Sequence, residues 1–208
     1  MERGLAMRRK NQEITKREDI LLAAEHVFAE RGFKGTTVRA VAQKAGIANS
    51  LIFYYFKNKL VLYEAVFQSF FEQLEDLILQ HLNLEMDRLG ILKQLLFAVT
   101  DFSARHRNLL IILTREIIDN GNLVQKINKK YFRPLYDTAA EFLAEGSKEA
   151  LFRKVDPLHF LQTLMGMNIF YFISDPLLQA VGVKDPYGSQ EIEKRKMEVW
   201  NIVRSSLT

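Results

Sequence analysis

Apolar residues recur at three- and four-residue spacing along most of the chain, the pattern of helices that each bury one stripe. In 14–31 the stripe is Ile20, Ala24, Val27 and Phe28, closed by Gly32. A short helix over 38–45 follows, with Val38, Val41, Ala42 and Ala45 on one face. Thr36 or Thr37 can cap its start, and Gly46 stops it as a left-handed residue does. Ala48, Asn49 and Ser50 offer a new cap for a second short helix over 51–56. A long helix over 59–82 carries a wide stripe that begins with Leu62, Val66, Phe67 and Phe70 and continues through Leu74, Leu77 and Ile78. Further helices are predicted over 85–105, 108–120, 123–145, 156–175 and 190–207. Turn signals separate them: His106-Arg107-Asn108, Asn120-Gly121-Asn122, Gly146-Ser147 and a loop over 176–188. Asp156-Pro157 reads as an N-cap followed by an N1 proline. No stretch alternates with strand period. The pattern therefore predicts an all-α chain of about nine helices.

Charge adds a location to this pattern. No Asp or Glu lies between Glu30 and Glu64, yet Arg31, Lys34, Arg39, Lys44, Lys57 and Lys59 all do. Residues 1–60 hold 12 Lys/Arg against 6 Asp/Glu, although the whole chain carries only +4. A basic head on a nearly neutral body is the footprint of an anion-binding module joined to something else. Two short helices across a glycine turn form a helix-turn-helix, whose second helix enters the DNA major groove with its N-terminal residues. On that helix Ile47, Ile52 and Phe56 share one face and are assigned to the core. Asn49, Ser50 and Leu51 lead it. An Asn can pair with adenine, and a Leu can pack on a thymine methyl. Arg3, Arg8, Arg9 and Lys10 make 1–11 a basic arm that either reaches DNA or is a plain tail.

Within this stretch the residues match a known pattern. Phe28, Gly32-Phe33, Thr36-Thr37, Val41-Ala42, Ala45-Gly46-Ile47, the run Ile52-Phe53-Tyr54-Tyr55-Phe56 and Lys59 resemble the N-terminal signature of TetR/AcrR-type transcriptional regulators. The resemblance runs over some fifty residues without a gap. Beyond about Leu62 it is one of helical layout only. It implies a DNA-binding domain over 1–60 and a ligand-binding and dimerisation domain over 61–208. It further implies DNA contacts from Thr37 and Arg39, from Ala48, Asn49, Ser50 and Leu51, and from Phe53, Tyr54 and Tyr55, with Lys59 aimed at phosphate. Three positions depart from many relatives, which have Ser or Thr at Ala48, Gly at Ser50 and Tyr at Phe53. The last change removes a hydroxyl from the backbone contact.

The same resemblance assigns roles to the second domain. Its helices are rich in large soft side chains, among them Phe67, Phe70, Phe97, Phe102, Tyr131, Phe132 and Tyr136, followed by Met165 and Phe172. Aromatics at helical spacing describe an ordinary core. By likeness to the family they also suit a pocket for an apolar or aromatic effector, with His106, Arg115 and Asn168 as polar anchors. The helix over 156–175 is apolar nearly all round and so requires cover on both sides. Family likeness then predicts a homodimer through the last two helices, using Leu161, Met165, Tyr171, Val199, Trp200 and Val203. Two reading helices spaced along a duplex would read a palindromic operator.

Other classes fit less well. The chain has no Cys, and His26, His81, His106 and His159 are scattered without a second ligand at metal spacing. No phosphate-cradling glycine loop and no nucleophile elbow occurs, so no enzyme, metal site or cofactor is expected. The start of the chain lacks the apolar core of a signal peptide, and 158–173 is too short and polar to span a bilayer. A soluble cytoplasmic protein is expected. Two rivals remain from other classes: a non-specific DNA-coating protein, and a helical carrier of apolar ligands whose DNA head is vestigial.

Overall fold

The computed structural model describes residues 2–82, 85–119 and 121–208, and the side chains of all these except 2–14 and 122. The described residues form α-helices with one π-helical turn and no strand. They are α1 (Glu2–Gly35), α2 (Val38–Ala45), α3 (Asn49–Tyr55), α4 (Lys59–His81), α5 (Arg88–Arg105), α6 (Arg107–Ile118), α7 (Asn122–Ile127), a π turn (Asn128–Phe132), α8 (Arg133–Lys148), α9 (Pro157–Ile173), α10 (Asp175–Ala180) and α11 (Ser189–Leu207). The all-α expectation holds. One extra element comes from splitting a predicted helix, 123–145, which the π turn interrupts; the other, α10, forms within the stretch 176–188 expected to be a loop, with Pro176 in its first turn. None of the described helices is long and apolar enough to cross a membrane.

Two compact units divide the chain. The first comprises 1–70 together with 111–121, and the second comprises 71–110 with 122–208. In the first, α1 starts at Glu2 rather than near 14, because nothing from Leu5 to Glu13 disfavours a helix. The side chains of the basic arm lie outside the described residues. Gly32 breaks the helix with φ 68° and ψ 174°, a conformation open to glycine. The predicted stripe is the core: Ile20, Ala24, Val27 and Phe28 are buried together with Val41, Ala42, Ile52 and Phe56. Phe28 stands at the centre of an aromatic cluster. Its ring meets Tyr63 edge-on at 4.7 Å and Phe33 at 6.2 Å, and Tyr63 in turn meets Phe67 at 5.1 Å. Part of α6 closes this unit, where the Tyr63 hydroxyl donates to Glu116 at 3.1 Å and Arg115 donates to the Ala29 carbonyl.

The second unit packs α5, α8, α9 and α11 around Leu96, Leu143, Phe152, Val199, Trp200, Val203 and Leu207. Val199 and Val203 are essentially inaccessible and Trp200 is buried. This corrects their assignment to a dimer surface: the stripe of α11 they form is turned into the protomer's own core. The side of α11 open to solvent carries Met197 and Ile202 instead. Lys196, on the buried side, is satisfied by Asp101 at 2.7 Å and Glu193 at 2.6 Å.

Candidate nucleic-acid interface

Local capping sets the geometry of the α2–α3 pair. Thr37 is the α2 N-cap, its Oγ1 accepting from the Ala40 N–H at 3.1 Å, and its own hydroxyl hydrogen remains for another acceptor. Gly46 ends α2 at φ 67°, and its N–H returns to the Gln43 and Ala42 carbonyls. The chain then enters α3 at Asn49, with Ala48 as a cap residue that contributes no side-chain bond. Asn49 and Ser50 thus sit at the first two helical positions, where N–H groups have no partner within the helix.

Burial separates support from surface as the spacing predicts. Ile52 and Phe56 are buried, Ile47 is half-buried, and Arg17 lies 5.5 Å over the Phe56 ring. Outward stand Thr37, Arg39, Ala48, Asn49 and Ser50, with Phe53 at 53% and Tyr54 at 71% of full exposure. Leu51 and Tyr55 are half-buried, and the Tyr54 and Tyr55 rings meet edge-on at 5.0 Å. Two large aromatics exposed on α3, with Arg39 and Lys44 exposed on α2, offer stacking faces and positive charge on this two-helix unit, which suits a nucleic acid. Lys34, Arg39, Lys44 and Lys57 form no ion pair among the described residues, so their charge is not cancelled locally.

Lys59, expected to face phosphate, has most of its ammonium engaged within the domain. Its ammonium donates to the Phe33 carbonyl at 2.8 Å and the Thr36 carbonyl at 2.9 Å, and lies 4.4 Å above the Phe33 ring. Two of its three N–H groups are therefore engaged inside the domain rather than offered outward.

The residues predicted to hold an effector divide between the units. Phe67, Phe70 and Arg115 belong to the first, where Phe67 and Phe70 are core and Arg115 anchors α6 on α1. Its bond to the Ala29 carbonyl removes Arg115 from the set of uncommitted anchors. In the second unit Phe102 and Phe172 are buried, while Phe97, Tyr131, Tyr136 and Met165 are half-buried. Tyr131 stacks on Phe71 at 4.4 Å. Asn168 is buried with its Oδ1 3.1 Å from the Thr100 hydroxyl, a polar link between α5 and α9 inside an apolar region. An open depression at the start of α11, lined by Ser189, Gln190, Glu193, Lys194 and Met197, contains none of these side chains.

His106 packs on the Phe102 ring at 4.2 Å, and burial followed by the neighbouring Arg105 charge holds its pKa below the ordinary histidine value. A cation disfavoured in the folded state takes up its proton more readily in the unfolded chain. Stability is therefore lost as pH falls below the unfolded value of about 6.5 and levels off once the lowered folded value is passed. His106→Phe is expected to flatten that loss. Melting temperatures of both proteins from pH 7.5 down to 5 check it, and parallel curves would contradict the depressed pKa.

An all-helical chain with a capped two-helix unit, an exposed basic and aromatic face and a separate helical second unit is a helix-turn-helix DNA-binding regulator. Residues 20–66 match the family model for bacterial regulatory proteins of the tetR family. The probable HTH-type transcriptional regulator YttP of Bacillus subtilis is 23% identical over 84% of this chain and 85% of its own length. The HTH-type transcriptional repressor KstR2 of Mycolicibacterium smegmatis is 28% identical over 66% of this chain and 69% of its own. The transcriptional regulator FadR from Bacillus subtilis, solved in complex with stearoyl-CoA, superposes with a TM-score of 0.70 at 21% identity, covering 92% of this chain and 99% of that one. Over residues 20–66 the chain carries the DNA-binding region of the TetR family of transcriptional regulators.

Proposed function

We propose that this protein is a cytoplasmic homodimeric repressor that binds a palindromic operator and is released by a small apolar or aromatic effector. The observation that carries the DNA half is the exposed face of Thr37, Arg39, Asn49, Ser50, Phe53 and Tyr54 on a unit whose core buries Val41, Ala42, Ile52 and Phe56. Functionally the division falls into a DNA-binding part over 1–60 and an effector-binding and dimerising part over 61–208. Self-association is supported by the apolar side chains that α9 and α11 leave in water, Leu158 and Phe170 on one, Met197 and Ile202 on the other. An apolar effector is supported by the aromatic content of the second part. FadR, a neighbour in fold, was solved with the long-chain thioester stearoyl-CoA. A ligand releases DNA only through its different affinity for the bound and released states.

Selection of bound duplexes from a random pool tests this reading. A pool that converges on a palindrome supports it. A pool that stays random despite binding sinks the operator and leaves a protein that coats DNA; loss of all DNA binding with ligand binding retained favours the carrier. On the selected duplex, Asn49→Ala is expected to cost about 1–3 kcal/mol while random DNA is bound as before. Equal losses on both duplexes would remove Asn49 from base reading.

A further inference from the structure

We infer that Lys59 is a positioning residue for the reading helix, and that the phosphate contact at the start of α4 is made by Lys57. The inference rests on the DNA-binding reading and reverses the roles that the sequence pattern gives the Lys57-Asn58-Lys59 run. Gly32 kinks α1 and the helix ends at Gly35, so carbonyls at this end and in the turn leading into α2 need partners from elsewhere. Two side chains supply them. The Thr36 hydroxyl, itself buried, lies 2.7 Å from the Gly32 carbonyl and 3.2 Å from the Val27 carbonyl. The Lys59 ammonium takes the Phe33 and Thr36 carbonyls at 2.8 and 2.9 Å, with the Phe33 ring beneath it. Thr36 leads directly into the α2 cap at Thr37, and α2 packs on α3. Lys59 therefore ties the first turn of α4 to the point from which the α2–α3 pair is hung.

Lys57 stands differently. It lies in the short link between α3 and α4, is exposed, and has no ion pair among the described residues. Asn58 takes the structural work beside it, its Oδ1 accepting from the Val61 N–H at 2.9 Å. An ammonium uncommitted at the end of the reading helix is the one available to a phosphate, and a phosphate contact announces itself through salt.

The test is the salt dependence of DNA affinity, measured with the full-length protein on a selected duplex and on a random one. Lys57→Ala should flatten the slope of log affinity against log salt by about one unit on both duplexes, with the melting temperature unchanged. Lys59→Arg keeps the charge but replaces the compact ammonium with a longer, planar fork that fits the two-carbonyl seat less well. It should leave both slopes unchanged, lower the melting temperature and weaken the selected duplex about tenfold or more, the loss of one charge-assisted hydrogen bond. Lys59→Arg with full affinity for the selected duplex overturns the positioning role. Lys59→Met losing about one unit of slope while Lys57→Ala loses none overturns the phosphate assignment, and should Lys59→Met not fold, the arginine variant and Lys57→Ala still decide both points. A wild-type protein that selects no sequence would defeat the operator proposal instead, and the slopes on random DNA would still discriminate the two lysines.

Discussion

Phe28→Ala is expected to lower the stability of the first unit by about 3–5 kcal/mol, the usual cost of emptying a fully buried aromatic site. Phe28 has no exposed surface, and its ring meets both Phe33, at the end of α1, and Tyr63 on α4. Removing it takes one of two edge-on partners from Tyr63, leaving Phe67, and leaves Phe33 with Tyr63 at 4.8 Å and the Lys59 ammonium above it. Since small domains have about 5–15 kcal/mol in total, a loss of this size leaves the reading head marginal. DNA affinity should then fall with rising temperature well before the second unit melts. Urea titration with fluorescence gives the stability change, and the affinity of the folded fraction at low temperature separates unfolding from altered contact. A cost below about 1 kcal/mol would mean that the cluster collapses around the gap and does not fix the angle of α1.

Local signals made most of the first unit readable. The Thr37 cap, the Gly46 stop and the stripe of Ile20, Ala24, Val27 and Phe28 each act within one element or across one turn, where spacing alone fixes the neighbours. Readability failed where partners lie far apart in the chain. Lys59 meets carbonyls 23 and 26 residues away, and Arg115 reaches Ala29 across 86. No periodicity encodes such pairs, so the spacing does not show that the Lys59 and Arg115 side chains donate to backbone carbonyls within the unit. The attachment of 111–121 to the first unit is hidden for the same reason. A helix of mixed pattern also shows which residues form its stripe without showing what covers the stripe. The stripe of α11 that the sequence pattern leaves open therefore faces the protomer's own core in the structure.

Val203→Asp tests that last point, and a large effect is expected. Val203 is 1% exposed among Leu96, Leu143, Phe152, Val199, Trp200 and Leu207. The nearest cation on its own face of α11, Lys196, is already held by Asp101 and Glu193. A carboxylate placed there is unpaired, and burying an unpaired charge costs several kcal/mol. The second unit should lose its cooperative melt at every protein concentration. Burial raises the pKa of such a group, so its penalty is present above the unfolded carboxylate value of about 4 and should shrink as pH falls through the raised folded value. A residue facing a partner chain would behave otherwise: the variant would dissociate on dilution into folded protomers with an intact melt. Ile202→Asp, on the exposed side of the same helix at 45% exposure, supplies the contrast. It should leave the protomer folded and, where α11 contributes to self-association, shift only the dissociation midpoint seen by sedimentation. Folded monomers from Val203→Asp would return Val203 to the interface and undo the inward reading of α11.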